Sequence, residues 1–182
     1  MAGTTPVFGL PYPHMSDPID PAAFAALASA IEAVLAGTQQ LLDLRLRPPT
    51  VALQISSVAV IAPATPTTLS FGSEFYDSHG MWSSGTNVTV QLTGIYHVGF
   101  TDAVMAGFAT HTSTEFIIRV NGVNTLTERR FASLASSENL SFGGLLILNA
   151  GDVITVQCQF SGTGNSNFQV GHFYADFIAP LV

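Results

Sequence analysis

The sequence predicts a mainly β protein: an antiparallel jelly-roll sandwich head, preceded by an extended N-terminal anchor and an α-helix that forms a trimeric coiled coil. Three observations predict it. Roughly eight to ten short runs with period-two alternation fill residues 51–182, and Gly, Asn, Asp or Pro separates them. An apolar seam with steps of three and four precedes these runs, and four prolines interrupt residues 1–19. We therefore divide the chain into residues 1–19, 20–47 and 51–182.

Residues 1–19 predict an extended, proline-rich segment. The prolines oppose both a regular helix and a central strand. Apolar side chains nevertheless recur, which is rare in a pure linker. We interpret the segment as an anchor that docks on a larger structure, with a flexible tail as the alternative. The candidate anchor residues are Val7, Phe8, Leu10 and Tyr12.

Residues 20–47 predict a helical stalk with a heptad seam. Asp20 suits the N-cap and Pro21 the first helical position. Gly37 costs about 1 kcal/mol in a helix, so we expect a bend or an end there. We expect the helix to pack on copies of itself, and a single amphipathic helix packed on its own domain is the alternative. The predicted subunit-contact residues are Phe24, Leu27, Ile31, Val34 and Leu41.

Two stretches of the predicted head carry specific structural signals. Asn121-Gly122 is a strong hairpin signal between two strand-like runs. In "VITVQCQF", the alternation places Cys158 on the same strand face as Val156 and Phe160. We therefore predict that Cys158 is a core residue and not a nucleophile.

Residues 74–100 combine the only Trp of the chain with a strand-like run that ends in "GIYHVGF". Ile95 and Tyr96 cannot share a strand face, so one of them points outward or into an interface. Met81 and Trp82 flank a turn, where a large aromatic side chain either caps the barrel end or contacts a partner. We predict that this stretch is mainly architecture.

The composition excludes several classes of function. Of 182 residues, 47% are hydrophobic and 9% are charged, and five basic residues give a net charge of −7. Nucleic-acid binding needs clustered Lys and Arg, so we predict none. No uninterrupted apolar stretch reaches about 18 residues, so we predict no membrane insertion. The low charge favours surface buried in an assembly, with a neutral Ser/Thr-rich surface as the alternative.

The distribution of reactive side chains predicts neither a cofactor nor an enzyme. The five histidines show no metal-ligand spacing. His97 and His172 lie in core-like strands and suggest structural roles, whereas His79 and His111 lie near predicted loops. The carboxylates are dispersed, although a glycosidase pair needs only two carboxylates that meet in space.

The order of motifs in the head resembles a known superfamily. "FYDSHGMW", "TVQLTGIYHVGF", "FIIRVNG", "LLILNAGDVITVQCQFSG" and "FYADFIAPLV" resemble the jelly-roll heads of the complement globular-head and tumour-necrosis-factor superfamily. The resemblance covers residues 51–182 and implies a homotrimer. The chain departs from animal members because it lacks a collagen-like stalk, which the heptad helix would replace. It also lacks the calcium cluster of the family, so calcium binding does not transfer.

The N-terminus resembles a second group of proteins. "GLPYPHMSDPIDPAAFAALASAIE" is similar to the lead-in of phage tail and virion-associated proteins. The resemblance implies a virion structural protein, located at the tail or capsid surface, with other virion proteins as partners.

The function implied by both resemblances is a trimeric fibre knob that serves adhesion to a host-envelope glycan or virion decoration. The candidate ligand-surface residues are His79, Trp82, His111 and Asn165. A cell-wall polysaccharide hydrolase head and a cellular jelly-roll binding protein are the alternatives.

Overall fold

The structure is a computed structural model. It describes residues 3–4, 11–12, 21–55, 59–106, 110–131 and 137–181. The chain divides into an N-terminal unit, Met1–Arg47, and a second unit, Pro48–Val182, which we call the head.

The N-terminal unit contains two short strands and one long helix. Strand β1 (Gly3–Thr4) pairs antiparallel with β2 (Pro11–Tyr12), so the backbone of the predicted anchor residue Tyr12 lies in a small ladder. The other candidate anchor residues, Val7, Phe8 and Leu10, lie outside the described residues, as does the predicted N-cap Asp20.

Helix α1 (Pro21–Leu46) is continuous over 26 residues. It runs through Gly37, so the helix does not end there, because good helix formers, Ala36 before it and Gln39 after it, offset the cost of one glycine. Thr38 interrupts the apolar seam, but its hydroxyl donates to the Val34 carbonyl at 2.8 Å and so leaves no unsatisfied donor. The helix is about 39 Å long at roughly 1.5 Å per residue.

The strands of the head are β3 (Thr50–Ile55), β4 (Ala59–Ile61), β5 (Thr67–Thr68), β6 (Phe71–Asp77), β7 (Val88–Thr89), β8 (Gly94–Ala106), β9 (Thr110–Val120), β10 (Val123–Phe131), β11 (Ser137–Leu148), β12 (Val153–Thr163) and β13 (Ser166–Pro180). β3 and β4 follow one another along the chain. Both pair with β13, at different places along it.

These strands form two antiparallel sheets. One has the order β10-β9-β12-β5, with β7 also paired to β12. The other has the order β11-β8-β13-β3-β6, with β4 also paired to β13. We call them the five-stranded and the six-stranded sheet. The prediction of a mainly β, antiparallel head after a single N-terminal helix is confirmed.

The core lies between the two sheets, where alternate side chains of β3, β8, β9, β12 and β13 are buried. Phe100 of the six-stranded sheet stacks on Phe116 of the five-stranded sheet, with ring centroids 5.7 Å apart. Cys158 is fully buried, as predicted, and burial raises the pKa of its thiol. Tyr96 is buried as well; its hydroxyl donates to the Leu92 carbonyl at 2.8 Å, and burial raises its pKa to about 12.

The predicted hairpin at Asn121-Gly122 is confirmed. It joins β9 to β10, and the two residues have φ angles of 51° and 79°. Two consecutive positive φ angles are the signature of the tight turn that suits the twist of paired strands.

Candidate functional site

The six-stranded sheet has a second face, which points away from the core. We call it the open face. It consists of the side chains that alternate with the core residues on the five main strands of this sheet. Its central residues are Ile147 and Leu145 of β11, Ile95 and His97 of β8, Asp176 and Tyr174 of β13, Ala52 of β3 and Tyr76 of β6.

One end of the open face is apolar. Ile147 lies directly opposite Ile95, and Leu145 lies directly opposite His97. Leu145 and Ile147 are each 66% exposed, although cross-strand partners normally shield one another. Ile178 of β13 is 57% exposed near the same end. Two-thirds exposure of adjacent branched side chains leaves a large apolar area in water.

The middle of the open face is a row of small residues and tyrosines across all five strands. The residues of this row are successive cross-strand partners. From β11 through β8, β13 and β3 to β6 they are Gly143, Gly99, Tyr174, Ala52 and Tyr76. The Tyr174 phenol lies over both glycines: a Cβ at Gly99 would overlap its ring carbon and hydroxyl, and one at Gly143 would come within 2.7 Å of the hydroxyl oxygen. The glycines therefore seat the Tyr174 ring against the sheet and keep this part of the face flat.

A histidine and a carboxylate lie between the apolar end and the tyrosine row. His97 and Asp176 are direct cross-strand partners on β8 and β13, and the His97 ring contacts Tyr174 at a centroid distance of 5.1 Å. Burial raises the pKa of Asp176, while the charge of His97 and a hydrogen bond from Thr50 act in the opposite direction. Burial, followed by the charge of Asp176, also raises the pKa of Tyr174.

The other end of the open face is polar. His172 Nδ1 lies 3.4 Å from an Asp102 carboxylate oxygen, and the Phe75 ring meets the His172 ring edge-on at 5.3 Å. Next to them, the Ser73 hydroxyl donates to the Gln54 side-chain oxygen at 3.3 Å. The open face therefore grades from apolar to polar along the strand direction.

The fold has relatives among solved structures. The globular domain of zebrafish complement 1qA protein matches with a TM-score of 0.56 and 17% identity, over 73% of this chain and 98% of that domain. Two structures of murine APRIL match with TM-scores of 0.55 and 0.52, each at 14% identity, over 71% and 70% of this chain and 98% and 99% of theirs.

The head is a jelly roll. At these identities the likeness establishes the fold alone. The sequence matches no protein-family profile and no curated protein. The expected likeness to complement and tumour-necrosis-factor heads is therefore confirmed for the fold, whereas none of these comparisons supports the likeness to phage virion proteins.

At one end of the jelly roll, a carboxylate organises the loop with the predicted ligand residues His79 and Trp82. Asp77 accepts hydrogen bonds from the backbone N–H groups of His79, Met81 and Trp82, at 3.1, 2.9 and 2.8 Å. These bonds bring Met81 into the core and pack Trp82 against it. The Ser78 hydroxyl, which donates to the Pro48 carbonyl, lies 2.9 Å from His79 Nδ1. The prediction that this stretch is mainly architecture agrees with these contacts.

The predicted ligand residues do not converge on one surface of the jelly roll. The backbone N–H of Ser78, the residue before His79, donates to the Thr50 carbonyl. Thr50 lies opposite Asp176, near the C-terminal end of β13, so His79 lies at that end of the strand. Asn165 directly precedes Ser166, where β13 begins, and is exposed. About ten strand residues, roughly 33 Å, separate the two ends. The side chain of His111 lies outside the described residues.

The N-terminal unit also exposes apolar side chains. Of the predicted seam, Phe24, Ile31 and Val34 are 54%, 46% and 50% exposed, Leu27 is half-buried, and the side chain of Leu41 is not described. Two further leucines, Leu35 and Leu42, are 62% and 47% exposed. They follow the seam positions Val34 and Leu41 by one residue, so the apolar stripe is wider than a two-residue heptad seam.

Helix α1 also meets a membrane-span criterion. Residues Pro21–Gln39 are long and apolar enough to cross a membrane by length and composition. The segment does not form an uninterrupted apolar run, because Ser29 and Glu32 divide it.

Within the described part of the chain, no group of three or more His, Cys, Asp or Glu side chains is placed to hold a metal ion.

Sequence reasoning missed the open face, although β11 carries its signal. Its end reads "LLIL", with no alternation, whereas β12 reads "VITVQCQF", with polar residues at every second position. A continuous apolar run is typical of a strand that is covered on both faces. β11 therefore has the sequence of a doubly buried strand, while one of its faces is exposed in the single chain.

Proposed function

We propose that the chain is a structural protein that works as a homotrimer, in which the head associates through the open face and α1 forms a three-stranded stalk. The observation that carries this proposal is the exposed pair Leu145 and Ile147 beside Ile95. Full burial of such a side chain contributes about 1.5–3 kcal/mol, so the contact would gain several kilocalories per subunit. Only 9% of the residues are charged, so few charges are available to repel a second copy from this face.

A second copy suits the open face better than an unrelated partner does. The carboxylates Asp176 and Asp102 each face a histidine of the same subunit, so neither requires a cation from another protein. The centre of the face is flat because Tyr174 lies against Gly99 and Gly143. Flat, locally neutral and apolar surfaces suit the contacts of homo-oligomers, which in a threefold ring are heterologous.

The stripe on α1 supports the same stoichiometry. A seam with two apolar positions in each heptad serves coils of two or more strands, and the added positions Leu35 and Leu42 widen the stripe, as suits a helix with neighbours on two sides. A trimer would therefore cover two apolar surfaces of this chain, the stripe and the open face, in a single association event.

We place this trimer in a virion, at the tail or capsid surface. The support for this placement is the resemblance of residues 9–32 to the lead-in of phage tail proteins, in which the extended segment docks on other virion proteins. The head would then serve adhesion to a host-envelope glycan or decoration of the particle. Three copies of a weak glycan site gain affinity through avidity.

We propose that the head acts without catalysis. Several carboxylates that might form a glycosidase pair are engaged in structural contacts. Asp77 accepts three backbone N–H groups, Asp152 accepts from the Asn149 backbone and the Asn121 amide, and Glu115 pairs with Arg129. A general acid or nucleophile needs a carboxyl group that is directed at substrate.

A membrane anchor is the second candidate role for α1, since Pro21–Gln39 meets the length and composition criterion. Insertion energies argue against it. The five large apolar residues of this segment each contribute about −0.3 to −0.6 kcal/mol, whereas one charged residue near the centre, here Glu32, costs roughly 2.5–3.5 kcal/mol. The gain from the apolar residues and the cost of Glu32 roughly cancel, which leaves little net free energy to drive insertion. A helical bundle therefore accounts for α1 better than a lipid bilayer does.

The solution mass of the full chain tests the proposal. Light scattering should give 3 × 19.1 = 57.3 kDa for the chain and a trimer for a fragment of residues 48–182. A trimer of the full chain alone would assign association to α1, and a monomer in both cases would contradict the proposal. Flotation of the full chain with lipid vesicles would instead favour the membrane role.

A further inference from the structure

The His97–Asp176 pair lies where the proposed subunit contact would be centred. Across the sheet, Leu145 is opposite His97 and Thr50 is opposite Asp176. Along the strands, the pair is flanked by Ile95 on one side and by Tyr174 on the other. A second copy seated on Leu145 and Tyr174 would therefore remove water from both titratable groups.

We propose that assembly through the open face takes up protons at the His97–Asp176 pair, so that the trimer is tighter at about pH 6 than at about pH 8. The inference rests on the proposed function, because it requires the open face to be the contact between subunits.

The reason is the cost of burying a carboxylate. In the single chain, burial already raises the pKa of Asp176, although His97 and Thr50 oppose the shift. A partner subunit would exclude more water, and an ionised carboxylate beside a neutral imidazole is then costly. The cost falls if His97 takes up a proton and forms an ion pair, or if Asp176 does so and becomes neutral. Either outcome adds one proton to the pair, whichever residue holds it.

Few other titratable groups face this pair. On its own strand, Tyr174 has a raised pKa because of burial and of the Asp176 charge, so it stays neutral in this range. From β11 the pair meets Leu145, and from β3 it meets Thr50, neither of which titrates. The second pair, His172 and Asp102, lies two rows away at the polar end, with 33% and 63% of their side chains exposed.

The direction of the pH effect follows from the proton balance. Since the assembled pair binds protons more tightly than the free pair, its contribution to trimer stability is complete below the pKa of the free subunit. It is lost as the pH rises through the pKa of the assembled state. The trimer dissociation constant should therefore rise with pH across the range in which the assembled pair loses its proton.

Sedimentation equilibrium of the full chain at about pH 6, 7 and 8 tests the inference, at an ionic strength that screens the net charge. The trimer dissociation constant should rise by about tenfold per pH unit for each proton taken up. His97→Gln should shift the dependence, because Asp176 then loses the neighbouring charge that opposes its protonation. Asp176→Asn should flatten it and should also tighten the trimer at pH 8, because no charge is then buried.

His172→Gln is the matched control, since it removes a histidine from the same face but away from the proposed contact centre. It should leave the pH dependence unchanged. Thermal unfolding of each variant checks that the fold is intact. Calorimetric dilution of the unmodified chain, in two buffers with different ionisation enthalpies, measures proton release without any substitution.

The outcomes separate the inference from the proposed function. A trimer whose dissociation constant is the same at each pH, or a dependence that survives in Asp176→Asn, overturns the inference and leaves the trimer standing. A monomer at each pH overturns both.

Discussion

The two sheets of the jelly roll have similar inner faces but different outer faces. Outside the five-stranded sheet, β12 presents Thr155, Gln157 and Gln159, and Gln157 donates to the Thr68 hydroxyl at 3.1 Å. Outside the six-stranded sheet, the open face presents Ile95, Leu145 and Ile147. Polar side chains that hydrogen-bond to one another are stable in water, whereas exposed leucine and isoleucine gain free energy only when another surface covers them.

This difference shows that strand alternation and surface chemistry carry separate information. Alternation identifies a strand and its core side. The chemistry of the opposite side indicates whether the sheet ends in solvent or continues into an assembly.

The largest effect is expected from core substitutions, which compare the inner faces of the two sheets. Phe116 of the five-stranded sheet and Phe173 of the six-stranded sheet are both fully buried. Replacing either with Ala should lower the free energy of unfolding by about 3–5 kcal/mol, because each change removes a ring and leaves a cavity. Urea denaturation at fixed protein concentration measures both. A cost for one variant much below that for the other would mean that the two inner faces are not equally packed.

A smaller effect is expected from Gly99→Ala on the open face. The added methyl would displace the Tyr174 ring, so we expect a loss of about 1–3 kcal/mol in unfolding free energy and weaker self-association. Gly37→Ala is the matched control, because nothing lies within 4 Å of a Cβ there. Alanine should stabilise α1 by up to about 1 kcal/mol. Equal signs for the two variants would contradict the role assigned to Gly99.

The smallest effect is expected on the outer face of the five-stranded sheet. Arg129 and Glu115 lie opposite each other and form an ion pair at 3.1 Å, with 55% and 18% of their side chains exposed. Glu115→Gln should change stability by less than about 1 kcal/mol, since water and salt reach the pair from the exposed Arg129 side. It should leave the oligomeric state unchanged. A double-mutant cycle with Arg129→Gln measures the pair, and a coupling above about 2 kcal/mol would show that this face is not simply solvated.

Much of the fold could be predicted from local patterns. The Asn121-Gly122 hairpin, the burial of Cys158 and the opposition of Ile95 and Tyr96 all follow from turn chemistry or from period two. Of the last two residues, Tyr96 is the one in the core.

The candidate site could not be predicted because it depends on strand order. Ile95 meets Ile147 only because β8 pairs with β11, and no local pattern states that pairing. His97 and His172 lie in the strands that were expected to be core-like, but they alternate with the core residues and so face outward. The predicted ligand residues failed to converge for the same reason: His79 and Asn165 lie at opposite ends of β13.

The most direct test of the account compares one charge on each outer face. Leu145→Glu places a carboxylate at the apolar end of the open face, and Gln157→Glu places the same group on the five-stranded sheet. We expect light scattering to show that Leu145→Glu is monomeric or dissociates at least about 100-fold more readily, because the contact would desolvate the new carboxylate, at a cost that the neighbouring His97 does not offset. Gln157→Glu should remain trimeric. A trimer of unchanged affinity in Leu145→Glu would contradict the claim that the open face is the contact between subunits.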